Sequence, residues 1–224
     1  MKTERVKADD YRSVYVVGDI HGCYDELMGK LNSLDFDKKQ DLLVSVGDLI
    51  DRGPESLKCL SLIEEPWFKC IQGNHELMAY TAITRKSTWF DFWYKHGGEW
   101  HRDLEDAKEA ERLILDAIKL PHVIEIERRG TKTVVCHADY PLDKYDPEAT
   151  DADDYDCLQW GRHRIEKRIP LKQNAKIEGA DLFIFGHTPQ SEILKSHNQI
   201  FIDTGACYTE GYLTVINLDE YITC

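Results

Sequence analysis

The chain has 224 residues, with 28 Lys+Arg against 41 Asp+Glu and a formal charge of −13. That length supports one substantial core, in one domain or one domain with an inserted lid. Recurring apolar runs exclude disorder, no run reaches the roughly 18–20 residues that span a bilayer, and the acidic balance lacks the basic footprint that sequence-independent nucleic-acid binding needs.

Met1–Asp10 mixes both charge signs without an apolar stretch and does not read as a signal peptide, so a soluble, cytoplasmic protein is expected. The seven cysteines are scattered without a C-x-x-C pair, which suits reduced core filler better than a disulfide scaffold or a thiolate zinc site.

In chain order, Val14–Val17 predicts a strand and runs into Gly18-Asp19-Ile20-His21-Gly22. Leu27, Met28, Leu31 and Leu34 then follow at helical spacing. The run Leu42–Val46 predicts a second strand and leads into Gly47-Asp48-Leu49-Ile50-Asp51-Arg52-Gly53. Gly53-Pro54 predicts a helix start with proline at its first position and Leu57 and Leu60 on one face. Phe68–Ile71 precedes Gly73-Asn74-His75-Glu76. From Ala79 to Trp100 the chain is dense in aromatics, which predicts a helical subdomain packed on the sheet, spanning 79–120; a substrate-contacting lid is the alternative. Asp103 to Leu120 reads as its last helix, stopped by Pro121. Thr133–Cys136 ends in His137-Ala138-Asp139, and Asp143–Asp156, rich in acids with Pro147, reads as a solvated loop. Leu182–Phe185 ends in Gly186-His187-Thr188, and Ile200–Ile202 is the final run.

Five strand ends therefore deliver Asp, His or Asn at once, and the carboxyl ends of such strands are where α/β sheets bind ligands. Asp19, His21, Asp48, Asn74, His137 and His187 form an oxygen and nitrogen donor set without a thiolate, which suits Mn²⁺, Fe or Zn²⁺. Singly, each has a plainer reading as a cap or a hydrogen-bonded core residue; jointly they point to metal. Two divalent ions about 3.5–4 Å apart would clamp the oxygens of an in-line phosphoryl displacement and acidify a bridging water. Arg52 either pairs with a site carboxylate or binds phosphate oxygens with its planar fork. No Gly-x-Ser-x-Gly elbow supplies a protein nucleophile.

In this order, Gly-Asp-Ile-His-Gly, Gly-Asp-Leu-Ile-Asp-Arg-Gly, Gly-Asn-His-Glu, His-Ala-Asp and Gly-His-Thr resemble the phosphoprotein phosphatase branch of the calcineurin-like metallophosphoesterases. Cys-His-Ala-Asp-Tyr-Pro at 136–141, Trp-x-Arg at 160–162 and Phe-Ile-Phe-Gly-His-Thr-Pro at 183–189 resemble its compact bacteriophage-lambda type. The similarity runs from Tyr11 to about Leu218. It implies an α/β fold, a β-sandwich of mixed sheets flanked by helices with the aromatic-rich helical insertion, in a single domain over 1–224. It implies one ion held by Asp19, His21 and bridging Asp48, and a second held by Asp48, Asn74, His137 and His187, with Mn²⁺ the expected metal. Arg52 and Arg162, with Asn74, would bind phosphate, and His75, oriented by Asp51, would protonate the leaving alkoxide as a bridging hydroxide attacks. Arg164 and Arg168 compete with Arg162 for its place, and Asp139 stands where eukaryotic relatives usually carry glycine. The expected activity is dephosphorylation of phosphoserine and phosphothreonine in a phosphoprotein or phosphopeptide, with phosphotyrosine left open, releasing inorganic phosphate, without nucleic-acid or membrane partners. Symmetrical cleavage of diadenosine tetraphosphate is the rival, disfavoured by Asp51 and Glu76, and a non-catalytic phosphate-binding scaffold is a remoter one.

Overall fold

The structure is a computed structural model describing residues 2–85, 88–148, 152–167 and 175–222. Its strands are β1 (Thr3–Lys7), β2 (Val14–Val17), β3 (Leu42–Ser45), β4 (Phe68–Cys70), β5 (Val123–Arg128), β6 (Thr131–Cys136), β7 (Leu182–Phe185), β8 (Leu194–Ser196), β9 (Gln199–Phe201) and β10 (Val215–Asn217). Its α-helices are α1 (Tyr24–Ser33), α2 (Ser56–Ser61), α3 (Asn74–Arg85), α4 (Thr88–Trp93), α5 (Glu99–Arg102), α6 (Lys108–Ala117), α7 (Ala152–Trp160) and α8 (His163–Lys167).

Two sheets form, in the orders β1-β5-β6-β7-β9-β8 and β10-β2-β3-β4. Both are mixed: β2, β3 and β4 are parallel with β10 antiparallel at the edge, and β6, β7 and β9 are parallel between antiparallel β5 and β8. The alternation of side chains along each strand sorts them into three layers. Val14, Val16, Leu42 and Val44 face Ile124, Val135, Ile184 and Ile200 between the sheets. Tyr15, Val17 and Leu43 point the other way, onto Leu27, Leu60, Met78 and Leu113 of the helices. Val134, Cys136, Phe183 and Phe185 pack outward with Leu158. Burial on both faces is why the central strands read as continuous apolar runs, and the mixed-sheet sandwich expected above is what they build. No helix among the described residues is long and apolar enough to cross a membrane.

Several local expectations need correction. Strands β1, β5, β8 and β10 escape an apolar-run reading, because β1 is a half-exposed edge and β5 carries Glu125 and Arg128 among its apolar residues. Pro54 lies before α2, which begins at Ser56; the Gly53 and Glu55 N–H groups instead donate to the His21 and Gly22 carbonyls. The helix expected from Asp103 begins only at Lys108, whose N–H donates to the Asp106 carboxylate. The acidic loop ends sooner than expected, since α7 starts at Ala152. That helix docks through Tyr155 and Gln159, which donate to the Gln72 side chain and carbonyl. Of the aromatic segment, Trp93 is fully buried while Trp89 and Phe92 remain exposed.

Candidate metal centre

The polar strand ends converge through hydrogen bonds that stitch one motif to the next. Ile20 and His21 N–H donate to the Asp48 carbonyl, His75 N–H donates to Asp48 Oδ1 at 2.9 Å, and His187 N–H donates to both Asp19 oxygens at 3.0 Å. Gly186 permits this last contact: a Cβ there would stand 2.1 Å from Asp19 Oδ1. Convergence requires unusual backbone. His21, Asp48, Asp51, Arg52 and His187 all adopt positive φ, between 44° and 77°, a region that L-residues enter at a cost and that clusters at functional sites.

At the centre lies Asp48. Its Oδ1 is 3.4 Å from His137 Nε2, and its Oδ2 is 3.7 Å from His21 Nε2 and 3.8 Å from His75 Nε2. Asn74 Oδ1 stands 2.8 Å from both His137 Nε2 and His187 Nδ1. His21 and His137 each donate Nδ1–H to a backbone carbonyl, of Ile50 and Val46, so each turns an Nε2 lone pair toward Asp48. His187 Nε2 is buried without a partner among the described residues. These donors form two groups sharing Asp48: His21, Asp48 and His75, and Asp48, His137 and His187. Asp19, expected to share an ion with His21, is in neither group and is held by the His187 N–H, while His75 falls inside the first.

The electrostatics fit cation binding. Burial, aided by neighbouring imidazoles and opposed by Asp48, lowers His21, His137 and His187, the last to about 3, so all three are neutral lone-pair donors at pH 7. Burial raises Asp48, but the charges that His137, His75 and His21 carry when protonated, with the His75 N–H, bring it below the usual carboxylate value. Asp19 is raised by burial first, then by Asp203 and Asp48. A buried carboxylate cluster facing neutral imidazoles has the donor chemistry of a two-ion centre.

His75 differs from the other imidazoles. Burial pulls it down, yet the Asp48 charge and the Asp51 hydrogen bond and charge raise it overall. Its Nδ1 donates to Asp51 Oδ2 at 2.6 Å, leaving Nε2 toward the cleft. Asp51 in turn accepts Trp93 Nε1 at 2.9 Å and Trp100 Nε1 at 2.7 Å. The aromatic segment thus holds Asp51, and its Gly97 carbonyl accepts the Arg52 N–H at 3.0 Å. Neither indole was expected to serve the site. Glu76, read from the sequence only as a family marker, also serves the site: its carboxylate accepts the Asp48, Leu49 and Gly73 N–H groups and so fixes the loop that carries Asp48.

The Arg52 guanidinium reaches His21 Nε2 and lies 3.0 Å from His75 Nε2. Arg162 lines the same cleft of about 140 Å³ with Asp48, Arg52, Asn74, His75, His96, Trp160 and His187. Arg164 is turned away and buried, pairing with Asp139 and Asp143 and donating to the Tyr140 and Leu142 carbonyls. Asp139 thereby anchors the turn that carries Arg162. Arg168 lies outside the described residues.

Comparison with known proteins agrees with this geometry. The calcineurin-like phosphoesterase family matches residues 12–191. The chain is similar to serine/threonine-protein phosphatase 1 of Salmonella typhimurium, at 42% identity over 96% of each chain. Its similarity to a symmetrical bis(5'-nucleosyl)-tetraphosphatase of Yersinia pestis reaches 44% identity but spans only 33% of this chain and 27% of that one. In structure it resembles a protein serine/threonine phosphatase of Saccharomyces cerevisiae, with a TM-score of 0.60, 15% identity and coverage of 96% of this chain and 82% of that one. A mixed-sheet sandwich whose strand ends gather metal donors, matched over most of its length, places this chain among the calcineurin-like phosphoesterases, a family of dinuclear metal-dependent hydrolases.

Proposed function

We propose that the protein hydrolyses phosphoserine and phosphothreonine monoesters of proteins or peptides, releasing inorganic phosphate. The observation that carries this reading is the Asp51–His75 pair set against the Asp48 donor cluster with Arg52 between. In this reading Asp19, His21 and Asp48 hold one ion and Asp48, Asn74, His137 and His187 the other, with Mn²⁺ the preferred metal. When bound, the ions supply Lewis acidity to phosphoryl oxygens and lower the pKa of water. Arg52 and Arg162 bind the phosphate from one side of the cleft and take up charge as it develops on the phosphoryl group. Serine alkoxide leaves poorly, so His75 delivers a proton from Nε2 while Asp51 accepts the hydrogen bond from its Nδ1–H and stabilises the imidazolium before transfer. Trp93 and Trp100 keep the Asp51 oxygens aimed at His75.

An apolar groove of about 260 Å³ opens beside the cleft, lined by Leu77, Met78, Thr81, Arg85, Trp89 and Phe92 and sharing Trp160. It would receive residues flanking a phosphoserine, but its indoles would also stack an adenine, which keeps diadenosine tetraphosphate as the second reading. Metal-stripped protein reconstituted with Mn²⁺ and assayed in parallel on phosphoserine peptide, phosphotyrosine peptide and diadenosine tetraphosphate separates them. Metal-dependent turnover favouring the phosphoserine peptide is expected. Preferential cleavage of the dinucleotide would replace the first reading, and metal-independent or absent turnover would remove both.

A further inference from the structure

We infer that Asp203 is a third carboxylate of the metal site, a positioning residue beside Asp19 that strengthens binding of the ion assigned to Asp19 and His21. The inference rests on the dinuclear reading above. The run Ile200–Ile202 is followed directly by Asp203, repeating at a sixth strand end the pattern that delivers the other donors. The two acids come from different sheets, Asp19 after β2 and Asp203 after β9, and the chains meet at Gly18. A Cβ on Gly18 would lie 2.4 Å from the Ile202 carbonyl oxygen and 3.6 Å from Asp203 Cα, so only glycine lets the two strand ends come this close.

Asp19 and Asp203 are each only 2% exposed, and neither makes an ion pair with a Lys, Arg or His of the described residues. Buried charges are ordinarily paired or coordinate metals, and two unpaired carboxylates side by side repel unless a cation joins them. The Arg52 guanidinium, beyond ion-pair distance, is a cationic charge that acts on both acids. A plainer role also exists, since Asp203 Oδ1 accepts the Gly205 N–H at 2.9 Å and turns the chain after β9.

Calorimetric titration of chelator-stripped protein with Mn²⁺ at mildly alkaline pH separates these roles when paired with melting of the metal-free protein. Asp203→Asn keeps an acceptor for Gly205 but removes the charge. One of the two sites should weaken about 10–100-fold, the range for residues that support ligands. The metal-free variant should meanwhile melt above metal-free wild type, because carboxylate repulsion is relieved. Asp203→Ala should weaken the same site equally. Unchanged affinity at both sites in Asp203→Asn overturns the inference. So does weaker binding accompanied by a lower metal-free melting temperature in that variant, which would assign Asp203 to the turn alone. Wild-type protein that fails to take up two ions would instead refute the dinuclear reading before Asp203 is considered.

Discussion

Replacing Asp51 by Asn separates the charge that supports His75 from the metal donors. The carboxylate receives three N–H groups, from His75 at 2.6 Å, Trp100 at 2.7 Å and Trp93 at 2.9 Å. An amide offers one oxygen to the indoles and turns an NH₂ toward His75, whose Nδ1 must then accept. The imidazole is left neutral with Nε2–H, a far weaker acid than imidazolium. A hydrogen bond to a charged partner contributes about 1.5–3 kcal/mol, or about 10–150-fold in turnover. That lies below the roughly 10²–10⁴-fold expected when His75→Asn removes the acid altogether. The sign of the pH effect follows from the raised pKa of His75. If His75 is the proton donor, activity requires its protonated form and falls as pH rises through that raised value, so Asp51→Asn should move the alkaline limb of the rate profile to lower pH. Turnover of phosphoserine peptide and p-nitrophenyl phosphate should be followed across pH at constant metal occupancy. The nitrophenolate leaves without needing a proton, so both variants should recover much of their loss on it. Equal losses on the two substrates, or an alkaline limb that stays in place, would refute proton donation by the Asp51–His75 pair.

Asp48→Asn should abolish turnover and weaken Mn²⁺ binding at both sites by calorimetry; full rescue by excess metal would make Asp48 a peripheral ligand. Arg52→Ala and Arg162→Ala should each weaken inhibition by inorganic phosphate with metal content unchanged, and lysine should rescue only partly because a point charge lacks the bidentate fork. Arg164→Ala should spare phosphate inhibition but cost about 3–5 kcal/mol in denaturant unfolding, since it strands the buried Asp139. Trp100→Phe removes one donor to Asp51 and should lower kcat on phosphoserine peptide without changing Mn²⁺ affinity; a lost metal site would show that the indole instead holds the centre together.

The candidate donors were legible because each follows a short strand covered on both faces, where an uninterrupted apolar run ends abruptly in Asp, His or Asn. That pattern fails for β1 and β5, whose polar residues interrupt the run, and for α6, whose start is set by the Asp106 side chain rather than by apolar spacing. Partners far apart in sequence were not legible either. Trp93 and Trp100 reach Asp51 only because the turn before α5 brings both indoles to one carboxylate. Nor could spacing choose between Arg162 and Arg164, two residues apart. The difference is burial and pairing: one lines the cleft and the other is sealed against Asp139. Asp203 obeys the strand-end pattern, but the Thr204-Gly205 that follows carries none of the neighbouring His or Asn that drew notice elsewhere.

The five left-handed residues around the cleft have a bearing on how this protein evolves. Each such backbone costs of order 1–3 kcal/mol, a large share of the margin that keeps a domain folded. Glycine at His21, Asp48 or His187 would relax that backbone while discarding a proposed metal donor. Selection for heat resistance alone should therefore enrich chains that have lost the chemistry, and lineages released from the need for turnover should drift toward greater robustness at these positions. Thermal-shift screening of a variant library would have to be paired with a turnover screen, or its best melters would be inactive.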